Sequence, residues 1–244
     1  MSQSRISWKS LALAATLVTG SLHAQATYHL SRSIDGPIIA GSMIGLSMDW
    51  QWRSQMQGFS ASDLQALDPS QVPVFDRYAL GRWSPSAGEV SDVALIGALG
   101  LGASSSLHAD NLHQFLVIGV MWAEANMVTG TLTDMTKHLV HRARPYAYDP
   151  LVPLETRMDT DARRSFFSGH TSVSACNLFF AAKILADQYP EHPLKPWVWA
   201  TAAIIPAYTG YQRIRAGEHF PSDVIVGYAV GALIGYMMPV IHLD

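Results

Sequence analysis

Three short stretches hold the residues whose types and spacing could do chemistry. The first runs from Lys137 through His138 and His141 to Arg144 and Pro145. Lys137 and Arg144 are seven residues apart, so on a continuous helix they share one face, two turns apart. Pro145 disfavours helical backbone at the residue before it, so this helix is expected to end near Arg144. The second stretch is Phe166-Phe167-Ser168-Gly169-His170, directly ahead of an apolar run. Ser168 suits a helix N-cap, Gly169 lets a ligand approach the backbone, and free N–H groups at a helix start bind phosphate. The third stretch runs from Arg213 to Asp223, with His219 and Asp223 four apart at the start of the last apolar segment and Pro221 placed for its first turn. A carboxylate at that spacing can hydrogen-bond one imidazole nitrogen, fix the tautomer and leave the other nitrogen as a nucleophile.

Each stretch alone has a plain structural explanation: cations near a helix C-terminus answer the macrodipole, and Ser-Gly starts a helix. Together they make a phosphoryl-transfer set. Lys137, Arg144 and Arg213 supply three cations for a group carrying about two negative charges, and the arginines can hold its oxygens bidentately. Ser168 and Gly169 add backbone N–H groups. His219 is expected to attack phosphorus, with Asp223 orienting it. His170 is expected to protonate the leaving alcohol and then help deprotonate the incoming water. One stretch ends a helix, one begins the next, and one lies at a third helix junction. In an up-and-down bundle all three fall at the same end.

These residues resemble the type 2 phosphatidic acid phosphatase and vanadium haloperoxidase superfamily. Its pattern is Lys-x6-Arg-Pro, then Pro-Ser-Gly-His, then Ser-Arg-x5-His-x3-Asp. The chain departs from it at Phe167, where Pro is usual, and at Gln212, where Ser is usual. Neither departure removes a group assigned to catalysis. The resemblance covers residue 137 to the C-terminus. It implies a histidine-phosphatase helical core, no metal cofactor, and phosphate monoesters as substrates, lipid phosphates such as phosphatidic acid foremost. A soluble periplasmic acid phosphatase and a vanadium-dependent haloperoxidase are the alternatives that the same pocket allows.

Composition narrows the class further. Of the 244 residues, 49% are hydrophobic and only 14% charged, against roughly 25% charged in an ordinary soluble domain. Mean hydropathy is +0.13, so membrane association is expected. Net charge is −3 and no basic stripe runs through the chain, which argues against nucleic acid as a partner. Cys176 is the single cysteine, so no intrachain disulfide or cysteine metal cluster can form. His138 and His141, with Glu124 or Asp134, lack the spacing of a metal site. They are expected to be solvated or to support the first stretch.

The elements that must position these groups can be traced along the chain. Residues 1–26 have a basic start with Arg5 and Lys9, an apolar core and the small-x-small sequence Ala24-Gln25-Ala26, the pattern of an export signal. Residues 27–89 read as a loop-rich segment packing on the core, and 90–244 as the phosphatase bundle. The fold class is all-α, with five to six helices. The helical runs are 90–107, 112–141, 171–188, 197–211 and 223–241. In the last, Gly227, Gly231 and Gly235 recur at every fourth position and invite close approach of another helix. Residues 38–48 are apolar but too short to span a bilayer, and the last helix is the cleanest span. The loop with Arg157, Arg163 and Arg164 would favour a cytoplasmic site by the positive-inside rule. Those charges sit beside a phosphate site and are assigned to it. With 90–107 and 112–141 crossing and 38–48 not, the first stretch emerges on the exported side; were 38–48 to cross as well, the site would face the cytoplasm. The site is expected on the exported side, at the inner membrane or in the periplasm.

Overall fold

The computed structural model describes residues 26–243, so the export-signal reading falls almost wholly outside it. It has eight α-helices: α1 (Arg32–Gln55), α2 (Ala61–Gln65), α3 (Pro85–Ser104), α4 (Leu112–Val140), α5 (Leu154–Met158), α6 (Gly169–Gln188), α7 (Lys195–Arg215) and α8 (Pro221–Ile241). Six are long, in line with the all-α expectation, and α2 and α5 are short. Among the described residues the β-structure is one isolated bridge, Tyr28 to Leu243. Polar caps set several starts. The Ser84 hydroxyl accepts from the Ala87 N–H ahead of Pro85, and Asn111 Oδ1 accepts from the Gln114 N–H at 3.0 Å.

α6 is the hub, with 14 of its 20 residues buried, and α3, α4, α7 and α8 pack around it. The tightest seam joins α6 to α8. A Cβ placed on Gly227, Gly231 or Gly235 would lie 2.6, 2.0 or 2.1 Å from the carbonyl oxygens of Ser168, Ser172 and Cys176. The glycine face of α8 therefore rests directly on the α6 backbone, as the four-residue spacing predicts. The opposite face carries Ile225 and Leu233, 56% and 63% exposed. Small residues inward and large apolar residues outward is the reverse of a helix in water.

The N-terminal segment differs from the loop-rich expectation. Residues 32–55 form one 24-residue helix, and irregular chain is confined to residues 26–31 and, with short helical turns, 56–84. The reason is that α1 is inside-out. Its buried stripe is Asp35, Ser42, Gly45 and Asp49. Its outer face shows Met43, Ile44 and Trp50. A Cβ on Gly45 would strike the Thr131 side chain at 2.2 Å, so α1 lies flush on α4.

Three helical segments are long and apolar enough to cross a membrane: Pro85–His108, Leu112–Tyr148 and Pro221–Ile241. The last of these is the segment that the sequence marks as the cleanest span, and two more join it. The polar interruptions face inward: Glu124 is buried, and Asn126 Nδ2 donates to the Trp122 carbonyl at 2.8 Å while its Oδ1 accepts from Asn177.

Gly231→Ala tests the seam, because its Cβ has no room. We expect a loss of roughly 1–3 kcal/mol of stability from overpacking, read as a fall in Tm in detergent, with activity falling in parallel. Gly97→Ala on α3, where a Cβ meets nothing within 4 Å, should leave Tm unchanged or raise it. Equal effects of the two substitutions would refute the close approach.

Candidate active site

The six long helices bring their ends to one place: α1, α4 and α7 finish there, and α3, α6 and α8 begin there. Cross-links show it. Asp49 near the end of α1 meets His138 near the end of α4. Arg213 near the end of α7 meets Ser91 near the start of α3. The Ser168 N–H at the head of α6 donates to the Asp223 carbonyl in the first turn of α8 at 3.0 Å.

His219 lies at the centre, 1% exposed. Its Nδ1–H donates to the Ser165 carbonyl at 2.7 Å. This fixes the tautomer and leaves Nε2 with its lone pair. The spacing assigns that job to Asp223, but Asp223 Oδ2 is 3.7 Å from Nδ1, beyond hydrogen-bond range. Instead Oδ2 accepts from the Ser165 hydroxyl at 2.6 Å and from the Phe220 N–H at 2.8 Å, and Oδ1 accepts from Arg142. Asp223 therefore holds both Ser165 and the turn that carries His219, and acts on the ring through them.

Burial, with the nearby charges of Arg144, Arg213 and Lys137, holds the His219 pKa well below its ordinary value. The ring is therefore neutral at physiological pH, as a nucleophile must be. Burial and Arg213 also lower the pKa of His170, but the carboxylate of Asp92 on α3 lies 2.7 Å from its Nε2 and pulls the other way. The two imidazoles thus have different partners, a backbone carbonyl and a carboxylate, and only His170 has support for a proton. That asymmetry suits a nucleophile and an acid.

Lys137 and Arg144 do not share a helix face. α4 stops at Val140 because His141 takes a left-handed conformation, φ 49°, at the C-cap. Arg144 follows in extended backbone ahead of Pro145, as a residue before proline should. The turn still brings the two cations together beside α6. A Cβ on Gly169 would sit 3.6 Å from Lys137 Nζ and fill the space beside the ammonium. Ser168 occupies the N-cap position, but its hydroxyl pairs with the Thr171 hydroxyl at 2.9 Å rather than capping the helix. The first-turn N–H groups of α6 have no intrahelical acceptor, as at any helix start.

Sequence reasoning misses the carboxylates that hold this cluster. Arg142 bridges Asp223 and Asp76, and Asp76 also accepts the N–H and hydroxyl of Ser222 at 2.9 and 2.7 Å. Arg144 pairs with Asp161 at 2.6 Å and with Glu218. His138 is not solvated. It is buried and donates to Asp49 at 2.7 Å. Nothing in local spacing marks Asp76 or Asp92, since each acts on a residue far along the chain.

Known proteins resemble the chain in sequence and in fold. A sequence model of the PAP2 superfamily matches residues 115–244, just over half the chain. The chain is 32% identical over 127 residues to phospholipid phosphatase 2 of Rattus norvegicus, covering 44% of this chain and 46% of that one. It is 30% identical over 118 residues to phosphatidylglycerophosphatase B of Bacillus subtilis, covering 46% and 53%. The chain thus spans about half the length of these curated relatives. Among solved structures, a transmembrane PAP2-type phosphatidylglycerolphosphate phosphatase from Bacillus subtilis superposes with a TM-score of 0.50 at 20% identity, over 85% of this chain and 94% of that one. This likeness is one of fold.

Glu218 gives the cluster a competitor of its own. Its Oε2 contacts Arg144 and lies 3.3 Å from Arg213 Nη2, so one carboxylate oxygen spans the two guanidinium groups. An incoming anion must displace it to engage both. Glu218→Gln should therefore tighten competitive inhibition by orthovanadate by roughly 1 kcal/mol, about fivefold in Ki. Unchanged or weaker inhibition would show that Glu218 does not compete for the anion position.

Proposed function

We propose that this chain, which belongs to the PAP2 superfamily, is a phosphatase that hydrolyses lipid phosphate monoesters through a phospho-histidine at His219. One observation carries the reading: a buried imidazole, its Nδ1–H tied to a backbone carbonyl, stands within the field of Lys137, Arg144 and Arg213. A neutral Nε2 in a field of three cations is arranged to meet a phosphoryl dianion and to stabilise charge on its oxygens in the transition state. Burial, and after it Arg213, keeps His170 neutral; the arriving dianion offsets the arginine's charge, and Asp92 then favours the imidazolium. His170 protonates the leaving oxygen, and on return helps remove a proton from the water that attacks phospho-His219.

The lipid substrate class is supported by the outward apolar faces of α1 and α8 and by the three segments able to cross a membrane. The related proteins named above act, by their names, on phospholipid phosphates. We assign the site to the periplasmic side. Of the three arginines that would argue for the cytoplasm, Arg163 pairs with Asp63 and Arg164 with Asp134, both within 2.7 Å, and Arg157 Nε donates to the Ala147 carbonyl at 3.1 Å.

His219→Ala should abolish both turnover and covalent labelling by a labelled phosphate ester. His170→Ala should still label, and lose roughly 10²–10⁴-fold in turnover of an alkyl phosphate. It should lose much less with nitrophenyl phosphate, whose leaving group scarcely needs a proton. The check is a quench without acid followed by mapping of the label. Label on His170 or Ser168, or surviving label in His219→Ala, would overturn these roles. Spheroplasts should turn over a membrane-impermeant ester without lysis, and activity that appears only on lysis would place the site on the cytoplasmic side.

A further inference from the structure

A second cluster of ionisable groups lies toward the other end of the bundle, and the phosphatase reaction does not use it. Asp35 in the first turn of α1, Glu124 midway along α4 and His242 just past α8 are 8%, 1% and 0% exposed. One ligand atom from each falls within 4.8 Å of the others. Glu124 is thirteen residues before Lys137 on α4, about 20 Å along the helix, so the cluster is separate from His219.

Its hydrogen bonds do not close. His242 Nδ1–H donates to the Met238 carbonyl at 2.7 Å, which leaves a lone pair on Nε2. That nitrogen points at carboxylates: Asp35 Oδ1 at 2.6 Å and Glu124 Oε2 at 3.8 Å. Neither oxygen of Glu124 receives a hydrogen bond, although both are buried. A proton on Nε2 would serve Asp35, but it would leave one uncompensated negative charge and an unpartnered buried carboxylate. Both are costly. A divalent cation neutralises the two carboxylates and uses the imidazole lone pair. The Nδ1–H bond to a backbone carbonyl is the usual support of a metal-ligating histidine.

We propose that Asp35, Glu124 and His242 form a binding site for a first-row divalent cation of the zinc or manganese kind. The imidazole nitrogen disfavours calcium and magnesium, which prefer oxygen ligands alone. Metal–ligand distances of about 2.0–2.2 Å require the Asp35–His242 pair to open by less than about 1 Å. The cation joins α1, α4 and the end of α8, where the chain also closes through the Tyr28–Leu243 bridge and the His29 N–H to His242 carbonyl bond at 3.0 Å. Its role is a clamp on the bundle.

The test uses the full chain purified in detergent, dialysed against a chelator and titrated with Zn²⁺ or Mn²⁺ alone. Bound metal per chain and thermal unfolding are both measured. We expect one equivalent that survives gel filtration, together with a rise in Tm. Glu124→Gln should lose both while keeping phosphatase activity, because it lies outside the catalytic cluster. Asp35→Asn is the second variant if Glu124→Gln does not fold. Failure of the wild-type chain to retain metal overturns the proposal whatever the variants do, and so does equal retention by wild type and variant, which would assign the ion to surface histidines.

Discussion

The bare contact between α8 and the backbone of α6 is the constraint on which the site depends. Three glycines a turn apart place the α8 backbone against the carbonyls of Ser168, Ser172 and Cys176. No side chain adjusts that distance, so the two helix heads are held in fixed register. The register sets the Ser168 N–H on the Asp223 carbonyl, and through it the head of α6 beside the turn carrying His219. His170 lies in the first turn of α6 and His219 in the turn that leads into α8, and a rigid seam keeps their spacing to the tolerance that the proposed phosphoryl transfer needs. In a bilayer the hydrophobic effect does little to press helices together, and close backbone packing takes its place.

On that frame the charges are arranged in two tiers. Lys137, Arg144 and Arg213 surround His219, and gathering three cations in a buried place is costly on its own. Asp161, Glu218 and Asp92 offset the cost from the rim. Beneath, Asp76, Arg142 and Asp223 form a closed network that fixes the start of α8. The division has a chemical sense. The upper carboxylates can be displaced by a phosphate, and the lower ones are committed to structure. Asp223 belongs to the lower tier, and its influence on His219 runs through Ser165 and the Phe220 N–H rather than through direct contact.

Much of this is legible in the sequence where the chemistry demands particular residue types at short spacing. The Gly227, Gly231 and Gly235 repeat forecasts the seam, and the three stretches name residues that the fold gathers at one end. Reasoning from sequence fails where a partner lies far along the chain or a local pattern is inverted. α1 reads as part of a loop-rich segment because its buried face is polar and its outer face apolar, so a search for a hydrophobic stripe finds the wrong side. The shared helix face of Lys137 and Arg144 fails because His141 leaves the helix early, in a left-handed conformation that its residue type does not announce. The expected Asp223 to His219 bond is displaced by a backbone carbonyl, which no sequence pattern displays. Asp35, Glu124 and His242 escape notice as a group because their separation in sequence conceals their meeting in the bundle.

The central claim is that the phosphoryl group passes through the protein. Two in-line displacements, first by His219 Nε2 and then by an acceptor oxygen, invert phosphorus twice. The measurement is the stereochemical course of transfer from an isotopically chiral phosphate ester to an added alcohol, read by phosphorus NMR of the product. Net retention of configuration is the expected result. Net inversion would mean a single displacement by the acceptor itself, with His219 never bonded to phosphorus, and would contradict the mechanism at its centre.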